Sequence, residues 1–388
     1  MIKKFFNFPN KYSFQDDLLA GITIGIVTIP QAMAFALLAG IPPIYGLYGS
    51  FIPLLIYGLL SSSNYLNVGP VSIISIFIFN VLSQNVEPFT TEYINDLVIL
   101  GVMVGLIQLL FGVFGLGKYL KYIPLSIISG FIQAAAILII VSQLSTAFGI
   151  KFPVDGLKKI PYLFLNIHEL KLNTKLFFLI SIIFLFLFAK FFPRFPTSIS
   201  LVCVTGILSY LLDFEKYGLL LIGDVPKDLP VFIFPTFDIV YIKYLPGAFG
   251  IAFIASIGSS IMALKLEPYQ PNKINLNREY ISLGITKFLS SFFGSMLSAG
   301  SFNRTILAYK IGGKTQITGI VSSIIILLTI LYLTPVVYYF PQSVIAALII
   351  YSVYFLFDFN LMFKLWREDK VELSYIFITM TVTLLFGL

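Results

Sequence analysis

Cysteine and histidine occur once each in 388 residues, as Cys203 and His168. One cysteine excludes an internal disulfide framework, and the pair cannot build a His/Cys metal cluster. Charge is scarce as well: Asp, Glu, Lys and Arg make up 11% of the chain, against about a quarter in a soluble domain. The chain has no Ser/His/Asp set, no phosphate loop and no paired carboxylates within its apolar runs. It therefore offers no enzyme chemistry, no metal site and no cofactor site. The net charge of +7 is spread along loops instead of forming a block, which argues against nucleic acid as a partner. A cleavable signal peptide is absent too, because the first apolar run is flanked by Asp16–Asp17 and continues into more helices. What is abundant is apolar. Hydrophobic residues make up 58% of the chain, with 40 Phe and 22 Tyr, and mean hydropathy is +0.95. The expected class is an all-α polytopic membrane protein whose surface faces a lipid bilayer.

Apolar runs approaching the roughly 20 residues of a membrane span fall near 18–38, 43–60, 96–116, 124–147, 173–192, 196–213, 244–265, 279–297, 315–333, 342–357 and 372–388. Two further segments, 69–83 and 300–310, are shorter and interrupted by Gly or Pro. Each stands third in its half of the chain. Paired broken segments at matching places point to an inverted-repeat transporter with its site at the bilayer midplane. This reading gives an amphipathic cytoplasmic N-terminus at 1–16 and a first repeat of seven elements at 17–213. An extracellular connection follows at 214–243, then a second repeat at 244–388 with six elements visible and a fourteenth missing. Lys118, Lys121, Lys190, Arg194, Lys273, Arg278 and Lys314 all fall on one side, which places the N-terminus in the cytoplasm. Lys151, Lys158, Lys159 and Lys171 pull the other way. Arg304 is the one basic residue this layout counts inside the membrane.

The stretch from Gly294 to Gln316 organises the rest. A half-helix beginning near Ser301 would aim its free N–H groups and positive dipole end inward, which suits an anion. Arg304 would add a full charge, with Ser301, Asn303 and Thr305 as nearby donors. The competing reading is a shallower half-helix whose Arg304 snorkels to the interface. The other half-helix starts at Asn67–Val68–Gly69–Pro70–Val71–Ser72, where proline suits the first turn and the Val71 and Ser72 N–H groups would face the opposite half-helix. In the first span, Pro30 breaks the hydrogen-bond ladder and Gln31 follows it at mid-membrane depth. Phe35, one turn on, would wall the pocket; both residues could instead serve helix packing.

At these residues the sequence resembles the SulP family of anion transporters, which includes the sulfate permeases, prestin and pendrin. The resemblance runs from Asp17 to the end of the chain. It is carried by DLLAGITIGIVTIPQAMAFALLAGIPPIYGLYGSF with NVGPVS, and by GSFNRT…GGKTQITG with LTPVVYYFPQSVIAALI after it. It implies two intertwined seven-helix inverted repeats (a 7+7 fold) split into core and gate domains, with the anion between the third and tenth elements. It makes Gln31 and Phe35 first-element pocket residues, and Asn303 and Arg304 the tenth-element pair. It also implies an elevator-like movement of sulfate, chloride, bicarbonate or another small inorganic anion, a homodimer, and here a place in a bacterial inner membrane. Three departures stand out. Asn303 occupies a position that is commonly Ser. The eighth element, IAFIASIGSSIMALK, has Gly258 where many bacterial members carry an acidic coupling residue. The fourteenth helix and the STAS domain that the resemblance implies are not among these 388 residues, as expected of a fragment or a shortened member. The expected function is secondary transport of sulfate, or chloride/bicarbonate exchange. The alternatives are an anion-conducting channel and a carrier of an organic anion such as a dicarboxylate.

Overall fold

The computed structural model describes residues 14–122, 124–150, 158–166, 168, 171–191, 197–223, 227–235, 238–354 and 357–386. The expected amphipathic N-terminus lies outside the described residues up to residue 13, as do Lys151 and Arg194.

The helices of ten or more residues are α1 (Phe14–Leu38), α2 (Pro43–Leu60), α3 (Ser72–Leu82), α4 (Thr91–Val113), α5 (Leu125–Phe148), α6 (Leu172–Phe191) and α7 (Thr197–Leu212) in the first half. The second half holds α8 (Leu245–Leu266), α9 (Leu276–Ser291), α10 (Phe302–Ile311), α11 (Ile317–Leu328), α12 (Gln342–Tyr354), α13 (Phe359–Glu368) and α14 (Lys370–Phe386). Two short strands, β1 (Val68–Gly69) and β2 (Ala299–Gly300), precede α3 and α10. Pro43 opens α2, the Thr90 side chain caps α4, and Asn275 caps α9. Each satisfies or removes an N–H that the first turn leaves without a partner.

Most expected spans become helices, with two differences. The first is α9, which with 16 residues falls short of a full crossing, whereas α11 runs on through a π-helical segment, Thr329–Leu333, and an α-helical turn, Thr334–Val337. The second difference is α13, which lay in no expected span. It is amphipathic: Leu361, Met362 and Leu365 pack on Leu373 and Ile376 of α14, while Phe363 and Trp366 are exposed. Its charged residues hide it from a search for apolar runs.

Two compact units divide the helices, α1–α4 with α8–α11 and α5–α7 with α12–α14. Each unit draws on both halves of the chain. In the first, α4 lies tightly on α9 because small residues let their backbones meet. A Cβ at Gly105 would stand 2.5 Å from the Phe288 nitrogen, and one at Gly284 2.5 Å from the Leu109 nitrogen. Buried carboxylates fasten the loops of this unit. Asp17 of α1 accepts from the Lys314 and Thr315 N–H groups at 2.6 and 3.1 Å, and from both threonine hydroxyls, Thr315 and Thr318. It thus ties the segment before α11 to α1, a distant point in the chain. Glu279 of α9 takes the Tyr57 hydroxyl and the Ser62 and Ser63 N–H groups, holding the segment that leads into β1.

In the second unit, Gly130 of α5 meets the Ile376 backbone of α14, and Phe186 of α6 packs edge-on against Tyr351 of α12 at 5.1 Å. The segment after α7 pairs with the one before α12 through Ile222 N–H to the Phe340 carbonyl and Gln342 N–H to that of Leu220.

Candidate anion site

The site begins with a strand pair. β1 and β2 run antiparallel, with Val68 opposite Gly300 and Gly69 opposite Ala299. The Ser301 N–H donates to the Asn67 carbonyl at 2.9 Å and extends the pairing by one bond. Each strand leads into a helix about half a membrane core long: α3 has 11 residues and α10 has 10, or about 15 Å each. The pairing brings the two N-termini together. First-turn N–H groups lack intrahelical partners, and each helix start carries roughly half a positive charge.

Arg304 lies at this junction and is 1% exposed. Its Nε donates to Asn67 Oδ1 at 3.2 Å and its Nη2 to the Pro70 carbonyl at 3.0 Å. Both acceptors are neutral. Nη1 is buried without a hydrogen-bond partner, and no carboxylate pairs with the guanidinium among the described residues. Gly69 makes room for the group, since a Cβ there would stand 2.9 Å from Nη2. Arg304 is therefore a buried cation with an unused donor.

Asn67 is the residue the sequence reading undervalued. Its side chain receives Arg304, its carbonyl receives Ser301, and its N–H donates to Thr305 Oγ1 at 3.0 Å. Three bonds from one residue hold the first turn of α10. Behind the strands, Ser259 Oγ of α8 accepts the Gly300 N–H at 2.8 Å. The Ser298 hydroxyl, beside β2, is buried without a partner. In the sequence, nothing separates these serines from their many neighbours.

The other expected site residues occupy varied surroundings. Gly69, Ser72, Ser301 and Thr305 are buried at the strand–helix junctions, and Val71 is half-buried as the residue preceding α3. Asn303 is exposed, because adjacent helical residues point about 100° apart and Arg304 takes the inward direction. Gln31 is half-buried and Phe35 buried, one turn apart on α1. Neither belongs to the hydrogen bonds that fix Arg304. At Gly258 on α8, an added Cβ would meet nothing within 4 Å.

The count of one membrane cation needs correcting. Lys287 in the body of α9 is also buried, at 1% exposure. Among the polar residues Glu279, Ser282, Thr286, Ser290 and Ser291 of the same helix, a lysine gives no sign of the direction it faces.

Comparison with known proteins shows a family and a fold. Residues 14–379 match the model of the sulfate permease family. A probable sulfate transporter of Arabidopsis thaliana is 34% identical over 97% of the chain, which spans 57% of that relative's length. The structure of murine solute carrier 26 family member A9, an anion transporter in the inward-facing state, superposes with a TM-score of 0.88 at 26% identity. That match covers 97% of the chain and 66% of the solved one. The transmembrane domain of a cyanobacterial bicarbonate transporter shares the fold, with a TM-score of 0.84 at 22% identity over 98% of both chains.

Proposed function

The chain belongs to the sulfate permease family, and from that premise we propose that it carries a small inorganic anion, sulfate first, through a site between the N-termini of α3 and α10. Its relatives are named as transporters, not enzymes. One observation carries the reading: Arg304 is buried at the meeting point of two helix N-termini, has no counter-ion among the described residues, and keeps Nη1 unused. Two helix ends and one guanidinium sum to roughly two positive charges, which matches a dianion without a bound cation.

The Val71, Ser72 and first-turn α10 amides supply directed donors, and Ser301 and Thr305 line the same junction. Gln31 and Phe35 of α1 close the pocket, with Asn303 at its rim. The absence of a carboxylate from α8 favours exchange over proton or sodium coupling. The family's elevator-like displacement gives the site access to each side in turn, with the α1–α4 and α8–α11 unit as the moving part.

The test is uptake of radiolabelled sulfate into proteoliposomes at two pH values, with and without internal chloride or bicarbonate. Saturable uptake that needs an internal anion and ignores the proton gradient supports the reading. Absence of uptake by well-folded protein overturns it.

A further inference from the structure

Lys287 has no part in the site described above. Its Nζ donates to the side-chain oxygen of Gln108 on α4 at 2.6 Å. Gln108 is itself fully buried, and its amide is held in one orientation. Its Nε2 donates to the Ala252 carbonyl at 3.2 Å and to Ser256 Oγ at 2.8 Å, both on α8. The amide oxygen is thereby turned toward Lys287. Three helices meet at one ammonium group.

No carboxylate answers it. The acidic residues of these helices are Glu92 and Asp96 on α4 and Glu279 on α9, while α8 has none. Asp96 stands more than three turns before Gln108, about 18 Å along the helix, and accepts the Tyr244 hydroxyl. Glu279 stands two turns before Lys287, about 12 Å away, and is occupied by Tyr57, Ser62 and Ser63. No ion pair joins Lys287 to an acidic residue among the described residues.

A cation in a membrane interior is costly to insert, and a purely structural contact to Gln108 does not require one. Two features favour the charged form. Lys287 lies one turn before the end of α9 at Ser291, near the negative end of the helix dipole. The polarised amide oxygen also accepts directly from it. The network leads to the anion site by a short route: Ser256 holds Gln108, and one turn further along α8 Ser259 holds the Gly300 N–H of β2.

We propose that Lys287 is a positioning charge for the anion site. It is a resident cation that raises the potential between α3 and α10, so that a doubly charged anion binds without a co-bound sodium ion or proton. This rests on the transport reading given above.

The experiment measures sulfate uptake in proteoliposomes at fixed ionic strength for wild type, Lys287→Met, Lys287→Arg and Gln108→Glu, with melting curves in detergent alongside. Lys287→Met keeps the length and removes the charge. Gln108→Glu keeps the lysine and neutralises it. Both are expected to raise KM roughly 20- to 200-fold, the size of one unit charge acting on a dianion over about one to one and a half helix diameters at an effective dielectric near 20. The maximal rate stays within about twofold, and Lys287→Arg stays near wild type. A packing role alone would leave Gln108→Glu unchanged or improved, so an unchanged KM in that variant overturns the inference even if Lys287→Met does not fold. A wild type that needs sodium or a proton gradient overturns it as well, while leaving anion transport standing. A folded wild type with no sulfate uptake overturns both readings.

Discussion

Arg304 and Gly69 form one device. The guanidinium is fixed by two neutral acceptors, and the space it fills exists because residue 69 has no Cβ. Arg304→Ala removes a charge-assisted donor from the site, so sulfate affinity should fall roughly 10- to 100-fold, read as KM in proteoliposomes or by competition binding. Arg304→Lys keeps the charge but loses the planar fork and should fall in between. Gly69→Ala pushes on Nη2 and displaces it, a crowding that also costs some stability. Its sulfate KM should rise roughly tenfold in the folded protein, and its melting temperature should fall by a few degrees. Equal affinity in Gly69→Ala and wild type would detach Arg304 from anion binding. The arginine was legible in the sequence because a charge beside Gly300 and Ser301 in an apolar region is conspicuous. Asn67 was not, because its importance comes from three bonds to a segment more than two hundred residues away.

At the scale of elements, the half-helices depend on loops that distant carboxylates hold. Asp17 stands far from α11 in sequence, yet it accepts three donors from the segment just before that helix and one from its first turn. Asp17→Ala leaves those donors without their acceptor and should cost about 2–4 kcal/mol. The measurement is thermal melting in detergent, where a drop of several degrees is expected. Sulfate KM in the surviving folded protein should stay within about twofold of wild type. A large KM change with no melting shift would mean that Asp17 acts on the site and not on the fold. The short broken helices were visible from their Gly and Pro residues, whereas α13 was not, because amphipathic segments carry too much charge to register as apolar runs. The shortness of α9 was hidden as well, because apolar residues such as Phe292 and Phe293 continue past Ser291, where the helix ends.

For the whole molecule, the hydrogen bonds between loops agree with a chain that crosses back and forth. The Phe89 N–H donates to the Gly40 carbonyl, and Asn64 bonds to Lys314 and Gln270. Each pair joins loops that serial crossing puts at the same end. An N-terminus in the cytoplasm predicts a labelling pattern that can be read directly. Cys203 is the chain's single cysteine, so the background is Cys203→Ser. Asn272→Cys, between α8 and α9, should react with a membrane-impermeant maleimide only after permeabilisation. Asn85→Cys, between α3 and α4, should react from outside. The reverse pattern would invert the topology. Composition and run length alone determined that this chain spans a membrane, because burying so apolar a surface leaves no other solvent. Broken segments and one arginine also marked the candidate anion site. The tertiary structure decided which neutral groups hold that arginine, which helices share a compact unit, and that a second cation, Lys287, is buried among α4, α8 and α9. Those facts depend on contacts between residues far apart in the chain, and a hydrophobic pattern records burial without recording partners.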